Sequence, residues 1–329
     1  MGETATKVLK AIGIVLAFLL ALVLIFFIAG SCTKGAAEAD EGLSSWMSRV
    51  KDDAPLNKIA IPGSHDAGTA GVCWLGQTQN VGIAKQLSCG ARYFDIRVRK
   101  TDDRLVIFHD VLNGADFKGV LSDIKGFLTE HPTETLLLDF QHFSGDSQRE
   151  VYDLLKDELF DEGLIVRNMT SLDDVQFIRQ LTLGDVRGKC IVFWGDRSED
   201  FSDWLFLRND DECTQDGMSL DSYYIGSIHK DSTEALIEEG YPVYFAKLAE
   251  RQAAEQDAIF VLQAQLTDGK LVFGPWQRER SNDPVISDYI RTLRNNEMLG
   301  SINVILRDFL DPVKCSDIIE LNAAKGIMD

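Results

Sequence analysis

The chain is poor in the residues that build the commonest metal and nucleotide sites. It has five histidines in 329 residues, and its six cysteines (Cys32, Cys73, Cys89, Cys190, Cys213, Cys315) include no CxxC and no Cys/His pairing of zinc-site spacing. That pattern argues against a zinc centre. No GxGxxG and no P-loop follows the first predicted strand, so a dinucleotide or nucleotide cradle is not indicated. Prolines are few, 7 against 26 glycines, and 45% of the chain is hydrophobic with 26% charged, which excludes disorder, collagen-like repeats and coiled coil as readings of the whole. Basic residues are also short: 33 Lys and Arg face 52 Asp and Glu, a formal charge of −19. So acidic a surface repels phosphate polyanions, and nucleic acid is not an expected partner. The same field disfavours electrostatic docking on anionic lipid, so any membrane contact has to be apolar or covalent.

What the chain does have is an apolar run. Ala11 to Gly30, AIGIVLAFLLALVLIFFIAG, carries no charge over 20 residues, and at roughly 1.5 Å per residue this matches a bilayer core of roughly 30 Å. Lys7 and Lys10 precede it, while Glu38, Asp40 and Glu41 follow with only Lys34 among them, so the positive-inside bias puts residues 1–10 in the cytoplasm. The expectation is an uncleaved anchor with the rest of the chain outside; a cleaved signal segment, which would leave the protein secreted, or lipid attachment at Cys32, are the alternatives.

Residues 31–43 are small, polar and acidic and read as a linker. Beyond them there is no low-complexity stretch and no fixed-period repeat, so residues 44–329 are expected to form one domain. Runs of β type alternate with helical ones: KIAIPG, RYFDIRVR, LVIFHD, a helix over 119–131, TLLLDFQHF, helices in SQREVYDLLKDELF and SLDDVQFIRQLT, KCIVFWGD, FVLQAQLT, a helix in PVISDYIRTLRNNE, and INVILRDFL. Such alternation implies a mainly parallel sheet. Its length suits an α/β fold of irregular TIM-like (β/α) barrel type, preceded by the transmembrane helix. Trp204-Leu205-Phe206-Leu207 reads either as a buried helix segment or as an apolar wedge for lipid. Cys73 with Cys89, or Cys190 with Cys213, are either bridged or buried as small apolar residues.

Reactive groups of a barrel collect at the C-terminal ends of strands, and here that is where the ionisable residues are. His65 and Asp66 end the first strand in a Pro- and Gly-fixed loop, and His109 ends a later strand before Asp110. Between them, in Tyr93-Phe94-Asp95-Ile96-Arg97-Val98-Arg99, a period of two places Tyr93, Asp95, Arg97 and Arg99 on one face. Inward charges are costly unless they form a site. Two imidazoles and a guanidinium can take a proton from a hydroxyl, give one to a leaving oxygen and stabilise charge growing on phosphorus. Phosphodiester cleavage fits that set. His131, His142 and His229 read as structural.

The segments IPGSHDAGT, GARYFDIRVR, LVIFHD, HPTETLLLDF and VILRDF, in this order, resemble the catalytic X-domain of phosphatidylinositol-specific phospholipase C, above all its bacterial and X-domain-only forms. The resemblance implies that His65 is the general base for the inositol 2-hydroxyl and that Asp308 orients it. It implies that His109 is the general acid with Asp66 as its partner, that Arg97 contacts the phosphoryl oxygens, and that Asp95 belongs to the same cluster. The products would be diacylglycerol and a cyclic inositol phosphate, a lyase reaction at a membrane surface. Calcium-dependent relatives carry an Asn after the first histidine and an acidic-x-acidic pair on the second strand; Asp66 and Arg97 stand there instead, and a fixed guanidinium can replace the ion. No cofactor and no calcium requirement are expected.

The sequence also departs from that pattern. Asp110 stands where the family usually has Gly, and Asp139 and Gln141, which share a face by period two, stand on the strand where bacterial enzymes have lysines. Lys247, Gln263, Gln265 and Arg197 are candidate lining residues. Other readings are a glycosyl-phosphatidylinositol anchor or another phospholipid as substrate, or an inactive domain that only binds a headgroup.

Overall fold

The computed structural model describes residues 3–30, 41–195, 203–209, 218–222, 232–266 and 274–329. Ten strands form one sheet: β1 (Ile61–Ser64), β2 (Tyr93–Thr101), β3 (Arg104–His109), β4 (Leu112–Asp116), β5 (Leu136–Ser144), β6 (Cys190–Trp194), β7 (Leu205–Leu207), β8 (Leu220–Asp221), β9 (Ile259–Gln263) and β10 (Val304–Arg307). Eight of them run parallel in the order β7-β6-β5-β2-β1-β10-β9-β8. The two ends of that series meet through a parallel bridge between Arg208 and Leu220, with Ser219 N–H donating to Leu207 C=O (2.7 Å) and Asn209 N–H to Leu220 C=O (2.9 Å). The sheet therefore closes into a barrel, as its strand and helix alternation predicts.

β1, β6, β7, β9, β10 and the first five residues of β5 are buried on both faces, which is why they read as continuous apolar runs such as LLLDF and CIVFW. The helix Phe117–Glu130 shows how the outer layer is specified. Asp116 caps it by accepting from Gly119 N–H at 3.1 Å, and Phe117, Val120, Leu121, Ile124, Phe127 and Leu128 recur at helical spacing on its buried face. Arg92 and Glu134 form a fully buried ion pair (2.7 Å), and the guanidinium also donates to the carbonyls of Leu43 and Ser44 (3.1 and 2.9 Å). Leu43, the last residue of the predicted linker, is buried and with Ser44 tied to the barrel, so the domain begins before residue 44.

Several expectations are revised. Trp204 to Leu207 is neither helix nor wedge: Leu205–Leu207 is a barrel strand, and all four side chains are buried. A run of four apolar residues carries no period, so sequence could not separate strand from helix. The helix expected from Pro284 begins at Pro275 and runs to Thr292, with Pro284 inside it; a proline at the first turn is the commoner arrangement, and here Pro275 fills that position. β3 and β4 form an antiparallel hairpin rising from β2, so His109 sits on that hairpin and not on a barrel strand. Cys73 and Cys89 are free thiols; Cys190 is likewise free, and Cys213 and His229 lie outside the described residues.

The segment Glu3–Gly30 is a single helix, and over Lys7–Leu24 its mean hydropathy is 2.5 with none of the window buried. It is long and apolar enough to cross a membrane. Residues 31–40 of the predicted linker lie outside the described residues.

Candidate active site

All six residues singled out from the sequence meet at the C-terminal mouth of the barrel. His65 follows β1 and Asp308 follows β10; these strands are neighbours, with Ser64 paired to Arg307, and His65 Nδ1 lies 2.7 Å from Asp308 Oδ1. The carboxylate accepts, so Nδ1 holds the hydrogen and Nε2 is left facing Asp66. His109 arrives from the hairpin. Its Nδ1 lies 2.8 Å from the Gly76 carbonyl, an acceptor, which likewise turns Nε2 inward. That approach is close: a Cβ on Gly114 would stand 2.3 Å from the Gly68 carbonyl, and a Cβ on Gly76 would stand 2.9 Å from His109 Nδ1. Glycine at these positions lets the hairpin lie against the loop after β1.

Asp66 is the centre of the arrangement. Its Oδ2 is 3.4 Å from His65 Nε2 and 3.4 Å from His109 Nε2, so the two imidazoles face one carboxylate and lie at most twice that distance apart. Its Oδ1 is 3.0 Å from Arg97 Nε. Sequence reasoning paired Asp66 with His109 alone; the structure places it between both rings. Asp66 has φ of 43° and Phe309, next to Asp308, has φ of 47°, so both chains leave the sheet in the left-handed region where non-glycine residues are uncommon.

Burial and charge set the protonation states. Burial alone would lower the His65 pKa, but the carboxylates of Asp66 and Asp308 outweigh it and raise it from 6.5 to about 9. For Asp66, burial pushes the other way, and the charges of Arg97, His65, His109 and His142 hold the carboxyl below its ordinary value. Asp95, fully buried, is pushed up to about 6 by burial, against the pull of Arg97 and with the help of Asp66.

Of the other candidates, Asp139 is buried inside the barrel, 2.5 Å from Arg208 Nε, and accepts from Tyr93 O–H at 2.6 Å. It neutralises Arg208, the residue just after β7, instead of standing open to a headgroup. An irregularity in the β2/β5 pairing skips Gln141, so His142 and not Gln141 stands opposite Arg97. The predicted two-residue alternation of Asp139 and Gln141 ends there, and His142, read as structural, acts electrostatically on Asp66. Arg99 lies over the Phe108 ring (4.3 Å) and donates to the Asp110 carbonyl, on the hairpin's exposed side, so it leaves the row formed by Tyr93, Asp95 and Arg97. Gln263 and Gln265 are buried at the mouth and bonded to each other (2.5 Å). Lys247 lies on the outer helix Tyr241–Ala253, away from the strand ends, and Arg197 lies outside the described residues. His131 bonds Ser45 Oγ (2.9 Å) and packs on Phe127, a structural role.

Thr78 and Gln79 were missed altogether. Thr78 Oγ1 lies 3.1 Å from the His65 and Asp66 carbonyls, and the Gln79 side chain bonds the backbone on both sides of the His65–Asp308 pair. Bonds from polar side chains to backbone leave no periodic trace.

The donors of His65, Asp66 and Asp95 lie within 4.8 Å of one another, a grouping that would suit a cation. Yet the Arg97 guanidinium already contacts both carboxylates, at 3.0 Å to Asp66 and 3.8 Å to Asp95. A fixed positive charge in that place does not fit a calcium ion beside it.

Residues 52–195 match the family described as phosphatidylinositol-specific phospholipase C, X domain. The 1-phosphatidylinositol phosphodiesterase of Listeria monocytogenes is 24% identical over 84% of this chain and 84% of its own length. PI-PLC X domain-containing protein 2 of Mus musculus and the 1-phosphatidylinositol phosphodiesterase of Staphylococcus aureus are each 32% identical over 34% of this chain. Those matches span 42% and 40% of the two relatives. Among solved structures, the phosphatidylinositol-specific phospholipase C from Listeria monocytogenes superposes with a TM-score of 0.60 at 22% identity, covering 85% of this chain and 98% of that one, a likeness of fold.

Proposed function

From the match of residues 52–195 to the X domain of phosphatidylinositol-specific phospholipase C, we propose that this chain cleaves phosphatidylinositol-type lipids to diacylglycerol and a cyclic inositol phosphate. The observation that carries this reading is the facing pair of imidazoles, each with Nε2 at 3.4 Å from Asp66 and each oriented from behind by an acceptor on Nδ1. In the reaction His65 Nε2 takes the proton of the inositol 2-hydroxyl, whose oxygen attacks the adjacent phosphorus. The bond from phosphorus to the diacylglycerol oxygen breaks, and His109 Nε2 gives that oxygen its proton. Arg97 stabilises the charge on the non-bridging oxygens, while Asp308 holds the base in the right tautomer and Asp66 aligns both rings. A base held near 9 is mostly protonated at pH 7, so kcat/KM rises with pH up to about that value.

The reading includes metal independence, supported by the guanidinium between Asp66 and Asp95; chelator should leave the rate of the purified protein unchanged. It also includes membrane attachment through the helix Glu3–Gly30, with residues 1–10 cytoplasmic and the barrel of residues 44–329 outside. The deciding experiment incubates the full chain with phosphatidylinositol in mixed micelles and follows phosphorus NMR. The expected result is a cyclic inositol phosphate signal that His65→Ala abolishes. Binding without turnover would instead leave a headgroup-binding module, and turnover unaffected by His65→Ala would refute the assigned base.

A further inference from the structure

The His65–Asp308 contact joins residues from the first and last barrel strands at the point where the sheet stops supporting them. The last ladder bond between the two strands runs from His65 N–H to Arg307 C=O at 3.2 Å. One residue after His65 and two after Arg307 the backbone turns left-handed, at Asp66 and at Phe309. From there β-pairing no longer fixes the spacing of the imidazole and the carboxylate. A different segment takes over. The Gln79 carboxamide, fully buried, donates from Nε2 to the carbonyl of His65 (3.0 Å) and to that of Arg307 (3.1 Å), and its Oε1 accepts from Leu310 N–H (3.0 Å). Beside it the Thr78 carbonyl accepts from Phe309 N–H at 2.7 Å.

We propose that Gln79 is a positioning residue for the proposed cleavage: it acts as an extra rung across the ends of β1 and β10 and sets the distance between His65 and Asp308. A carboxamide offers two N–H donors and one carbonyl, and here both donors and the acceptor are used on three backbone groups belonging to the two loops. No other uncharged side chain of similar length pairs two donors with an acceptor in a planar group. Thr78 Oγ1, at 3.1 Å from the carbonyls of both His65 and Asp66 and 2.6 Å from Thr69 Oγ1, braces the first loop alone. Gln79 is thus the side chain that spans both. A small error in the placement of a general base relative to its orienting group is costly, because a displacement of about 1 Å can lower a rate by about 10²-fold.

This inference rests on the reaction proposed above, so its test has a readout that does not need turnover. In the full chain in micelles, with histidine labelled by ¹⁵N, the Nδ1–H of His65 bonded to Asp308 gives a downfield proton resonance, identified by its loss in Asp308→Asn. Gln79→Met keeps volume and removes all three bonds; Gln79→Glu keeps length and removes both donors. In whichever of the two retains the wild-type cooperative melt, that resonance moves upfield or exchanges away, and kcat falls about 10–100-fold with KM within about twofold. Protection of the Gln79 carboxamide protons from solvent exchange in the unmutated chain reads the rung directly, should neither variant fold. A His65 resonance unmoved by a folded variant, or carboxamide protons that exchange as fast as an exposed glutamine's, would overturn the assignment even if the chain proved to cleave nothing. A resonance that moves in a chain without lipid turnover would uphold the rung and fail the proposed reaction.

Discussion

The two ends of the barrel bury polar residues in opposite ways. At the N-terminal end, apart from the Arg92–Glu134 ion pair, buried polar side chains are spent on backbone groups. Asn303 donates to the carbonyls of Leu56 and Ile59 (3.0 and 2.6 Å), and Asn57 donates to that of Asp257 (2.8 Å). Asn322 bonds both the N–H and the C=O of Ala60 (2.7 and 2.9 Å). Lys325, donating to the carbonyls of Lys58 and Ile302, has its pKa brought down to about 7 by burial. At the C-terminal end, charged side chains face each other: His65, His109 and Arg97 surround Asp66, with Asp95 and Asp308 beside them. Burial of charge is tolerated in both places, but only at the mouth is it left in groups that can exchange protons with a bound molecule. One end is built to close the barrel and the other to react.

Substitutions should separate the two ends. With both histidines in place, the largest effect is expected at the mouth from Arg97→Met, which removes the guanidinium proposed to stabilise the phosphoryl charge. Turnover of phosphatidylinositol should fall about 10²–10³-fold, measured as cyclic product. Next comes Asp308→Asn. One of the carboxylates that raise the His65 pKa is lost, so the pKa falls and the acid limb of kcat/KM moves to lower pH. The rate deficit should therefore be greater at pH 9.5 than at pH 7, where the normal base is mostly protonated. A full pH profile of the variant checks this.

At the closed end, Asn303→Leu should leave kcat unchanged and cost about 1–3 kcal/mol in denaturant unfolding, because two backbone carbonyls lose a buried donor. A loss of activity in the still-folded variant would blur the contrast between the ends. A separate effect is on stability against pH. His65 titrates near 9 in the folded chain and near 6.5 unfolded. Its contribution to stability is therefore complete below pH 6.5 and is lost as pH rises through about 9. The melting difference between the unmutated chain and His65→Ala should shrink across that window.

Much of the mouth was legible because each reactive residue sits beside a recognisable strand end: His65 and Asp66 after a Pro-Gly strand, His109 after an apolar run, Asp308 after the last one. The apolar N-terminal helix was legible from length and charge alone. Four features were not. Asp66 between two imidazoles depends on the hairpin folding back over the first loop, a contact made by Gly68 and Gly114 that composition does not announce. His142 opposite Arg97 depends on a local register irregularity that a strict period of two cannot contain. The link through Gln79 depends on backbone carbonyls, which every residue has. Leu205–Leu207 closes the barrel with a strand too short to show any period.

The division of labour between the two histidines is the centre of the proposed chemistry, and a change of leaving group tests it most directly. His65→Ala and His109→Ala, each in the full chain, would be assayed on phosphatidylinositol and on a nitrophenyl ester of inositol phosphate, whose leaving oxygen needs no proton. His109→Ala should lose about 10²–10⁴-fold on the lipid and recover most of that on the nitrophenyl ester, while His65→Ala stays inactive on both. Equal losses for His109→Ala on the two substrates, or turnover by His65→Ala near the unmutated rate, would contradict it.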